Sequence, residues 1–220
     1  MFIIKGLTAQ PSRQKWDQAA AIVEHAELAM LNLKQVEKLK RQTFVDDLTG
    51  LYNSRYLRFA LEAAVRQHAS RSESFALLFI DVDRFKLVND RHGHLVGSDF
   101  LSAMGRIIKN AVRNGDSVFR YGGDEFVILL RKTTLQRSVD VAERLRRKIE
   151  CRKFFIRGVS LNTTVSIGLA VFPEHARQVD RLIHLADSAM YEAKKTRNAV
   201  QTAKPNASPR APTRRPETSL

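Results

Sequence analysis

The sequence predicts an α+β fold in which a mostly antiparallel central sheet is flanked by helices. Two strand-like runs, residues 116–121 and 126–130, are joined by Gly122-Gly123, and a tight turn between antiparallel strands requires the positive φ that glycine adopts at little cost. Residues 75–80 are six apolar residues in a row, as expected of a strand covered on both faces. Helical segments lie before, between and after these runs and supply the covering layers.

The composition is that of a globular protein. A chain of 220 residues with 44% apolar and 27% charged residues can hold one core of ordinary size plus extensions. No window reaches the roughly 18 apolar residues of a membrane span, and residues 1–5 are too short for a signal peptide. Cys151 is the only cysteine, which excludes an internal disulfide and a cysteine metal cluster. We therefore expect a cytoplasmic protein.

The net charge of +14 raises the question of nucleic-acid binding. Part of the charge lies on a predicted helix, at Arg144, Arg146, Arg147 and Lys148, without exposed aromatic residues or a known nucleic-acid module beside it. An anionic nucleotide substrate accounts for part of the excess. We expect no nucleic-acid partner, and nucleic-acid binding is the least favoured function for this chain.

Residues 12–45 are predicted to form one long helix, because they contain no glycine and no proline. Apolar residues recur at the spacings of three and four that form a coiled-coil seam, and the frame slips by three residues at Val36 and Leu39. We expect residues 1–43 to form an intermolecular stalk; a helix packed on its own domain is the alternative. The seam consists of Trp16, Ala19, Val23, Ala26, Met30 and Leu33.

A second domain is predicted over residues 44–201, followed by a disordered tail, 202–220, with four prolines among Ala, Ser, Thr and Arg. Its expected elements, in order, are a helix at 54–68, a strand at 75–82, a short helix near 84–89, a long helix at 96–113, the hairpin at 117–131, a helix at 135–150, an apolar stretch at 154–156, a strand at 163–172 and a helix at 179–196. A polar loop is expected at 70–74.

Carboxylates stand at the ends of both predicted strands. Asp124 and Glu125 follow the Gly-Gly pair, and Asp81 ends the buried run. Acids at the end of a buried strand do not belong in a core unless they are paired or bound to metal. If the two strands are neighbours, Asp81 and Asp124 could hold Mg²⁺, which takes oxygen ligands and substrate phosphates. From the hairpin alone, solvated surface charges are an equal alternative.

Six sequence motifs occur in order over about residues 44–200. They are Asp46-Asp47-Leu48-Thr49-Gly50-Leu51-Tyr52-Asn53, Asp81-Val82-Asp83-Arg84-Phe85-Lys86 with Asn89-Asp90, Gly93-His94, Gly122-Gly123-Asp124-Glu125-Phe126, Thr164-Val165-Ser166-Ile167-Gly168, and Ala186-Asp187 with Met190-Tyr191-Glu192-Ala193-Lys194. In these motifs the chain resembles the GGDEF domain of diguanylate cyclases. The resemblance implies a palm-type α+β fold. It also implies a reaction that joins two nucleoside triphosphates into a cyclic dinucleotide, with Mg²⁺ or Mn²⁺, between the facing sites of a homodimer.

The resemblance also assigns roles to residues. Asp81, Asp124 and the Val82 carbonyl match the metal ligands; Asp124 matches the position held to be the general base, and Glu125 is a supporting acid. Lys194 and Arg197 match phosphate ligands, but one residue, expected to be a glycine, is missing between them. A basic helix C-terminus favoured by the helix dipole is the alternative for both. The remaining substrate-binding positions are Phe85, Lys86, Asn89, His94 and Ser98.

Ser98 is the most informative departure from the family pattern, which has aspartate there. A carboxylate only accepts hydrogen bonds, so it pairs with guanine N1–H and N2–H₂ and repels the adenine N1 lone pair, whereas serine can donate or accept. We expect GTP and ATP as substrates and cyclic AMP-GMP with some cyclic di-GMP as products, as in the similar hybrid promiscuous (Hypr) GGDEF subgroup. Two alternatives stay open: a strict GTP-only cyclase, and replacement of the lost acid by Asp99.

Arg113 and Asp116 lie just ahead of the hairpin, where the family keeps an RxxD site that binds the cyclic dinucleotide product and inhibits the enzyme. Arginine binds guanine or phosphate with two parallel hydrogen bonds, and aspartate takes guanine's donors. The main alternative to an active cyclase is a degenerate GGDEF domain that only binds GTP or a cyclic dinucleotide. The retained carboxylates disfavour this receptor, because a receptor needs no metal pair.

Overall fold

The computed structural model describes residues 13–69 and 73–204 of the chain. The chain divides into two compact units, residues 1–43 and the remainder from Phe44 onward. The elements are α1 (Arg13–Phe44), β1 (Tyr52–Asn53), α2 (Ser54–Ala69), β2 (Phe75–Val82), α3 (Phe85–Lys109), β3 (Ser117–Gly122), β4 (Glu125–Arg131), α4 (Leu135–Glu150), β5 (Phe154–Ile156), β6 (Val159–Leu161), β7 (Val165–Phe172), α5 (Val179–Thr196) and β8 (Val200–Thr202). The predicted α+β class is confirmed.

The N-terminal segment is one uninterrupted helix, α1, with bounds close to the prediction. Several of its large apolar side chains are more than half exposed, among them Ile22 (69%), Val23 (57%) and Met30 (62%). Such a row of uncovered apolar side chains is unusual for an isolated surface helix. The side chains of Trp16, Ala19, Leu33, Val36 and Leu39 lie outside the described residues, so the coiled coil stays a prediction.

The larger unit is built on a six-stranded sheet of order β1-β3-β4-β2-β7-β8. β2 lies near its centre, antiparallel to β4 and β7, and only the edge strands β1 and β8 pair in parallel. All eight residues of β2 are buried: Ala76, Leu78 and Ile80 pack with α3 and α4, whereas Phe75 and Leu77 belong to the core under α2 and α5. The apolar run is therefore covered on both faces, as predicted, and its polar end lies at one edge of the sheet. In the described stretches no helix combines the length and hydropathy that crossing a bilayer requires.

The hairpin turn lies one residue later than predicted. Gly122 is still part of β3 and pairs with Glu125, so the turn residues are Gly123, with φ 48°, and Asp124. The shift arises because the register slips between Arg120 and Gly122, which places an extra residue, Tyr121, in β3 as a bulge. As a result Asp124 lies in the turn itself rather than after it.

Two other boundaries differ from the sequence predictions. The two helices expected at 84–89 and 96–113 are present as the two halves of α3, separated by a break at Gly93, whose φ of 81° and ψ of 162° are not helical; the second helix ends at Lys109, earlier than predicted. The predicted tail begins too early, because β8 ends at Thr202 and Ala203 is buried. β1, β6 and β8 were missed because strands of two or three residues show no alternation of polar and apolar residues. The expected loop at 70–72 and the tail from 205 lie outside the described residues.

Candidate active site

The acids at the edge of the sheet are brought together by strand pairing. Asp81 on β2 lies opposite Glu125 on β4 and opposite Ser166 on β7. The backbone N–H of Val82 donates to the Asp124 carbonyl at 3.3 Å. The strands of Asp81 and Asp124 are thus neighbours, which was the condition for a shared metal site, and Asp81 itself is buried.

Lys194, near the end of α5, brings one positive charge to these carboxylates. Its Nζ lies 2.7 Å from Asp81 Oδ2. Burial is the main cause that raises the pKa of Asp81 to about 6; the hydrogen bond and charge of Lys194 work against it, and the charges of Asp124 and Glu125 add to it. Burial also raises the pKa of Glu125, with Asp124 and Asp187 adding to the effect against Lys194. The carboxylates are therefore short of positive charge, which is the condition that favours binding of a further cation.

Asp83 serves a different purpose from Asp81, although both belong to the same acidic end of β2. Its carboxylate accepts hydrogen bonds from Thr164 Oγ1 (2.6 Å), Ser166 Oγ (2.7 Å) and the backbone N–H of Asn198 (2.9 Å). Because the hydrogen-bonding capacity of this carboxylate is used within the protein, Asp83 has a structural role. It ties β2 to β7 and to the segment that follows α5.

The loop between β2 and α3 presents free backbone donors beside the acids. Arg84 precedes α3 in a left-handed conformation (φ 60°, ψ 25°), and no side chain caps the helix. The first N–H groups of the helix, at Phe85 and Lys86, consequently have no partner within it, and such groups attract phosphate. Phe85 is buried and Lys86 is exposed. The resemblance had placed the substrate phosphates at this loop.

Asn89 and Ser98 lie on the two halves of α3 that meet across the Gly93 kink. A Cβ on Gly97 would lie 1.9 Å from Asn89 Oδ1, so the absence of a side chain at Gly97 is what allows the Asn89 amide to approach. Ser98 follows directly and is half-buried, whereas His94 is exposed. The structure thus brings Asn89 next to the segment that carries Ser98.

Asp99, the alternative acid for this position, already forms an ion pair with another residue. Arg157, in the turn between β5 and β6, donates from Nε to Asp99 Oδ2 at 2.6 Å. The neighbouring residue on a helix also points about 100° away from Ser98. Asp99 is therefore poorly placed to replace an acid at residue 98.

Arg197 lies at a different place from Lys194. With the residue between them missing, Arg197 itself forms the C-cap of α5, at φ 59° and ψ 170°, a conformation that suits glycine. Its side chain lines a cavity of about 560 Å³ beside Asp83 and Arg84, whereas Lys194 contacts Asp81 and does not line that cavity. Arg197 thus lies apart from the contact between Lys194 and Asp81, and its role as a phosphate ligand stays a prediction.

Arg113 and Asp116 form a pair at a second cavity. Arg113 Nε lies 3.3 Å from Asp116 Oδ1, and the same oxygen accepts the backbone N–H of Arg131 at 3.0 Å. A cavity of about 330 Å³ lies beside them. Sequence reasoning missed the other cations on its wall, Lys132, Arg137 and Arg144. For Arg137 and Arg144 the sequence does contain a signal, because their spacing of seven residues places them on one face of α4.

Arg120 was also missed, and it connects the turn of Asp124 to the start of the larger unit. Its Nη1 donates to Asp46 Oδ2 at 3.0 Å and its Nη2 donates to the Gly123 carbonyl at 2.8 Å. Asp46 Oδ1 accepts from the backbone N–H of Thr49 at 2.9 Å. Burial works to raise the pKa of Asp46, but the bonds from Thr49 and Arg120 outweigh it and lower the pKa. Asp46 and Thr49 belong to the first of the six motifs, and their structural role became visible only in the folded chain.

Comparison with known proteins places these residues in a family. The profile described as "Diguanylate cyclase, GGDEF domain" matches residues 43–199. Diguanylate cyclase A of Treponema denticola is 32% identical over 210 residues, which are 93% of this chain and 56% of that protein. Diguanylate cyclase DgcM of Escherichia coli K12 is 39% identical over 168 residues, 76% of this chain and 40% of that protein. The chain spans about half the length of the curated relatives it matches.

Solved structures are similar in fold. The GGDEF domain of TpbB (YfiN) from Pseudomonas aeruginosa has a TM-score of 0.69 and 35% identity, covering 72% of this chain and 99% of that one. The coiled coil and GGDEF domain of DgcB from Caulobacter crescentus, in complex with c-di-GMP, has a TM-score of 0.74 and 25% identity, covering 84% and 98%.

Proposed function

This chain belongs to the GGDEF-domain family of diguanylate cyclases, and on that premise we propose that it condenses two nucleoside triphosphates into a cyclic dinucleotide with release of pyrophosphate. The observation that carries the proposal is the strand register that puts Asp81 beside the turn of Asp124, with Lys194 bonded to Asp81. A domain that merely bound nucleotide would not require buried carboxylates whose charge is so incompletely balanced.

The residues at the sheet edge fit a Mg²⁺ or Mn²⁺ ion. The carboxylates of Asp81 and Asp124 and the Val82 carbonyl are all oxygen donors, the type these hard ions take. Within the described stretches, no three His, Cys, Asp or Glu side chains converge to hold an ion by themselves. That agrees with an ion whose remaining ligands are substrate phosphates and water. The ion would activate the ribose 3′-hydroxyl and neutralise charge on the phosphate.

Side chains and backbone groups of the protein carry out proton transfer, phosphate binding and charge balance. Asp124, in the turn, accepts the proton of the attacking 3′-hydroxyl, and Glu125 supports the cation site. The N–H groups at the start of α3, together with exposed Lys86, hold the phosphates. Lys194 keeps Asp81 ionised in its buried position and balances part of the charge when no ion is bound.

We propose that Ser98 lets the site accept ATP as well as GTP, which yields cyclic AMP-GMP together with cyclic di-GMP. Two observations support this choice: Ser98 lies beside the Gly97–Asn89 contact, and the carboxylate of Asp99 is bound to Arg157. With serine at position 98, the base-binding position has no carboxylate. A carboxylate there could only accept hydrogen bonds and would repel the lone pair of adenine N1. A strict GTP-only cyclase is the second candidate, favoured by the names of the curated relatives.

We further propose a homodimer with product feedback. Each protomer supplies one half-site, so both bonds form only when two sites face each other, and the exposed apolar row of α1 supports a coiled-coil stalk. The basic cavity at Arg113 and Asp116 suits an anionic dinucleotide, and the DgcB structure, which includes a coiled coil, contains c-di-GMP.

The proposal is tested by incubating the protein with GTP, ATP or both in the presence of Mg²⁺ and identifying products by mass spectrometry. Cyclic dinucleotide should form, and Asp124→Asn, which keeps the side-chain size but removes the base, should lower turnover by about a hundredfold or more. Glu192→Gln, which loses an exposed ion pair with Lys195, is the matched control and should retain activity. Nucleotide binding without product would favour the receptor, and an Asp124→Asn variant within a few-fold of wild type would remove the catalytic assignment.

A further inference from the structure

The turn that follows α5 has a backbone conformation that its residue types do not favour. Arg197, the C-cap of α5, has φ 59° and ψ 170°, which lie close to a region that glycine alone occupies readily. Asn198 follows with φ 45°, a positive value that asparagine tolerates better than most residues. A turn of this kind persists only when contacts with the surrounding structure hold it in place.

Helix α4 supplies such a contact through Arg146, whose Nη1 donates to Asn198 Oδ1 at 2.7 Å. The same guanidinium donates from Nε to Glu143 Oε2 at 3.0 Å and from Nη1 to Glu150 Oε2 at 3.0 Å. Hydrogen bonds between a guanidinium and a carboxylate are among the stronger ones in proteins. Because the Arg146 side chain is only 13% exposed and has two carboxylate partners, it has little freedom to move away from Asn198.

The amide of Asn198 is bound at both of its polar atoms. Nδ2 donates to Glu150 Oε1 at 2.7 Å, while Oδ1 accepts from Arg146. Glu150 also accepts from Arg146 with its other oxygen, so the three side chains close a ring of hydrogen bonds. A polar network in which each member is bonded makes the segment that it contacts rigid. The ring therefore ties the turn after α5 to α4.

The backbone of this turn reaches both sides of the acidic edge. The N–H of Asn198 donates to Asp83 Oδ2 at 2.9 Å. The N–H of Arg197 closes the last turn of α5, the turn that carries Lys194. Lys194 Nζ lies 2.7 Å from Asp81 Oδ2. The position of the turn thus decides how Lys194 meets Asp81.

We propose that Arg146 is a positioning residue for the active site: together with Glu150 it holds the turn after α5, so that Lys194 stays against Asp81. Arg146 acts through the Asn198 amide and not by contact with a substrate. Its effect on turnover rests on the proposed function, whereas its hold on the end of α5 does not. The two parts are therefore tested by separate measurements.

Hydrogen–deuterium exchange of the full chain tests the hold on the turn. Arg146→Met keeps the length of the side chain and removes the guanidinium, and the amides of residues 194–203 should then exchange about tenfold faster. Arg147→Met is the matched control, because Arg147 is on the same helix, is 72% exposed and lies 3.7 Å from Glu143. Its exchange should equal that of wild type, and circular dichroism checks that both variants are folded.

The kinetic test compares Arg146→Met in two backgrounds. In the wild-type background we expect kcat with GTP and Mg²⁺ to fall by about tenfold. In a Lys194→Met background the same change should lower kcat by less than about twofold, because the contact that Arg146 positions is already gone. A residue that only stabilised the fold would lower kcat by the same factor in both backgrounds.

Equal exchange of the end of α5 in Arg146→Met and Arg147→Met would overturn the inference. Equal losses of kcat in the two backgrounds would overturn it as well. A chain without cyclase activity in which Arg146→Met still speeds exchange would remove the proposed function and keep the hold on α5. An active chain in which Arg146→Met changes neither exchange nor kcat would do the reverse.

Discussion

Replacing Ser98 with aspartate should convert a site that accepts both purines into one that prefers GTP. The new carboxylate would stand beside Gly97, at the point where the Asn89 amide approaches α3. From there it can accept from guanine N1–H and N2–H₂ but only repel the N1 lone pair of adenine. Its neighbour Asp99 is already paired with Arg157 at 2.6 Å, so little like-charge repulsion is added.

The size of the effect follows from one charge-assisted interaction at a half-buried position. Such a hydrogen bond contributes about 1.5–3 kcal/mol, which corresponds to about ten- to a hundredfold in selectivity. Because Ser98 retains some solvent contact, we expect the lower part of this range.

The assay incubates wild type, Ser98→Asp and Ser98→Asn with equal ATP and GTP and Mg²⁺, and quantifies the products by mass spectrometry. Asparagine has the size of aspartate but can both donate and accept, so it controls for volume. Wild type and Ser98→Asn should make cyclic AMP-GMP, and Ser98→Asp should make cyclic di-GMP almost alone. Cyclic di-GMP as the only wild-type product, or the same shift with asparagine as with aspartate, would refute the reasoning.

Three other predictions concern assembly, feedback and stability. Removal of residues 1–42 should lower the rate most at nanomolar protein, because two half-sites must meet; equal specific activity of both forms across a dilution series would count against the stalk. Arg113→Ala should raise the product concentration that halves the rate by about tenfold, since it removes a bidentate ligand; an unchanged inhibition curve would leave the RxxD match without a function. Asp46 has a lowered pKa in the folded state, so its stabilising effect is present above its unfolded pKa of about 4 and is lost as pH falls through the folded value. Melting temperatures from pH 7 to 3 should therefore fall less steeply for Asp46→Asn than for wild type, and parallel curves would contradict this.

Local sequence patterns sufficed for the long elements of the fold. The unbroken apolar run of β2 and the amphipathic helices carry their periodicity within a few turns of chain. The short strands were not predicted, since β1 has only two residues and β6 and β8 have three each. The break between the two predicted helices of α3 lies at Gly93, whose φ and ψ are not helical.

The sequence by itself determined which residues could do chemistry here. The acids after the glycine pair and at the end of β2, the serine at position 98 and the RxxD pair were all visible as residue types at fixed spacings. Their assembly was not visible, because it depends on pairing between strands and helices that are distant in the chain. Only the tertiary structure placed Asp81 opposite Glu125, Lys194 against Asp81 and Arg120 against Asp46. It alone joined Arg146 and Glu150 to Asn198, since contacts between distant segments are properties of the folded chain and not of any single segment.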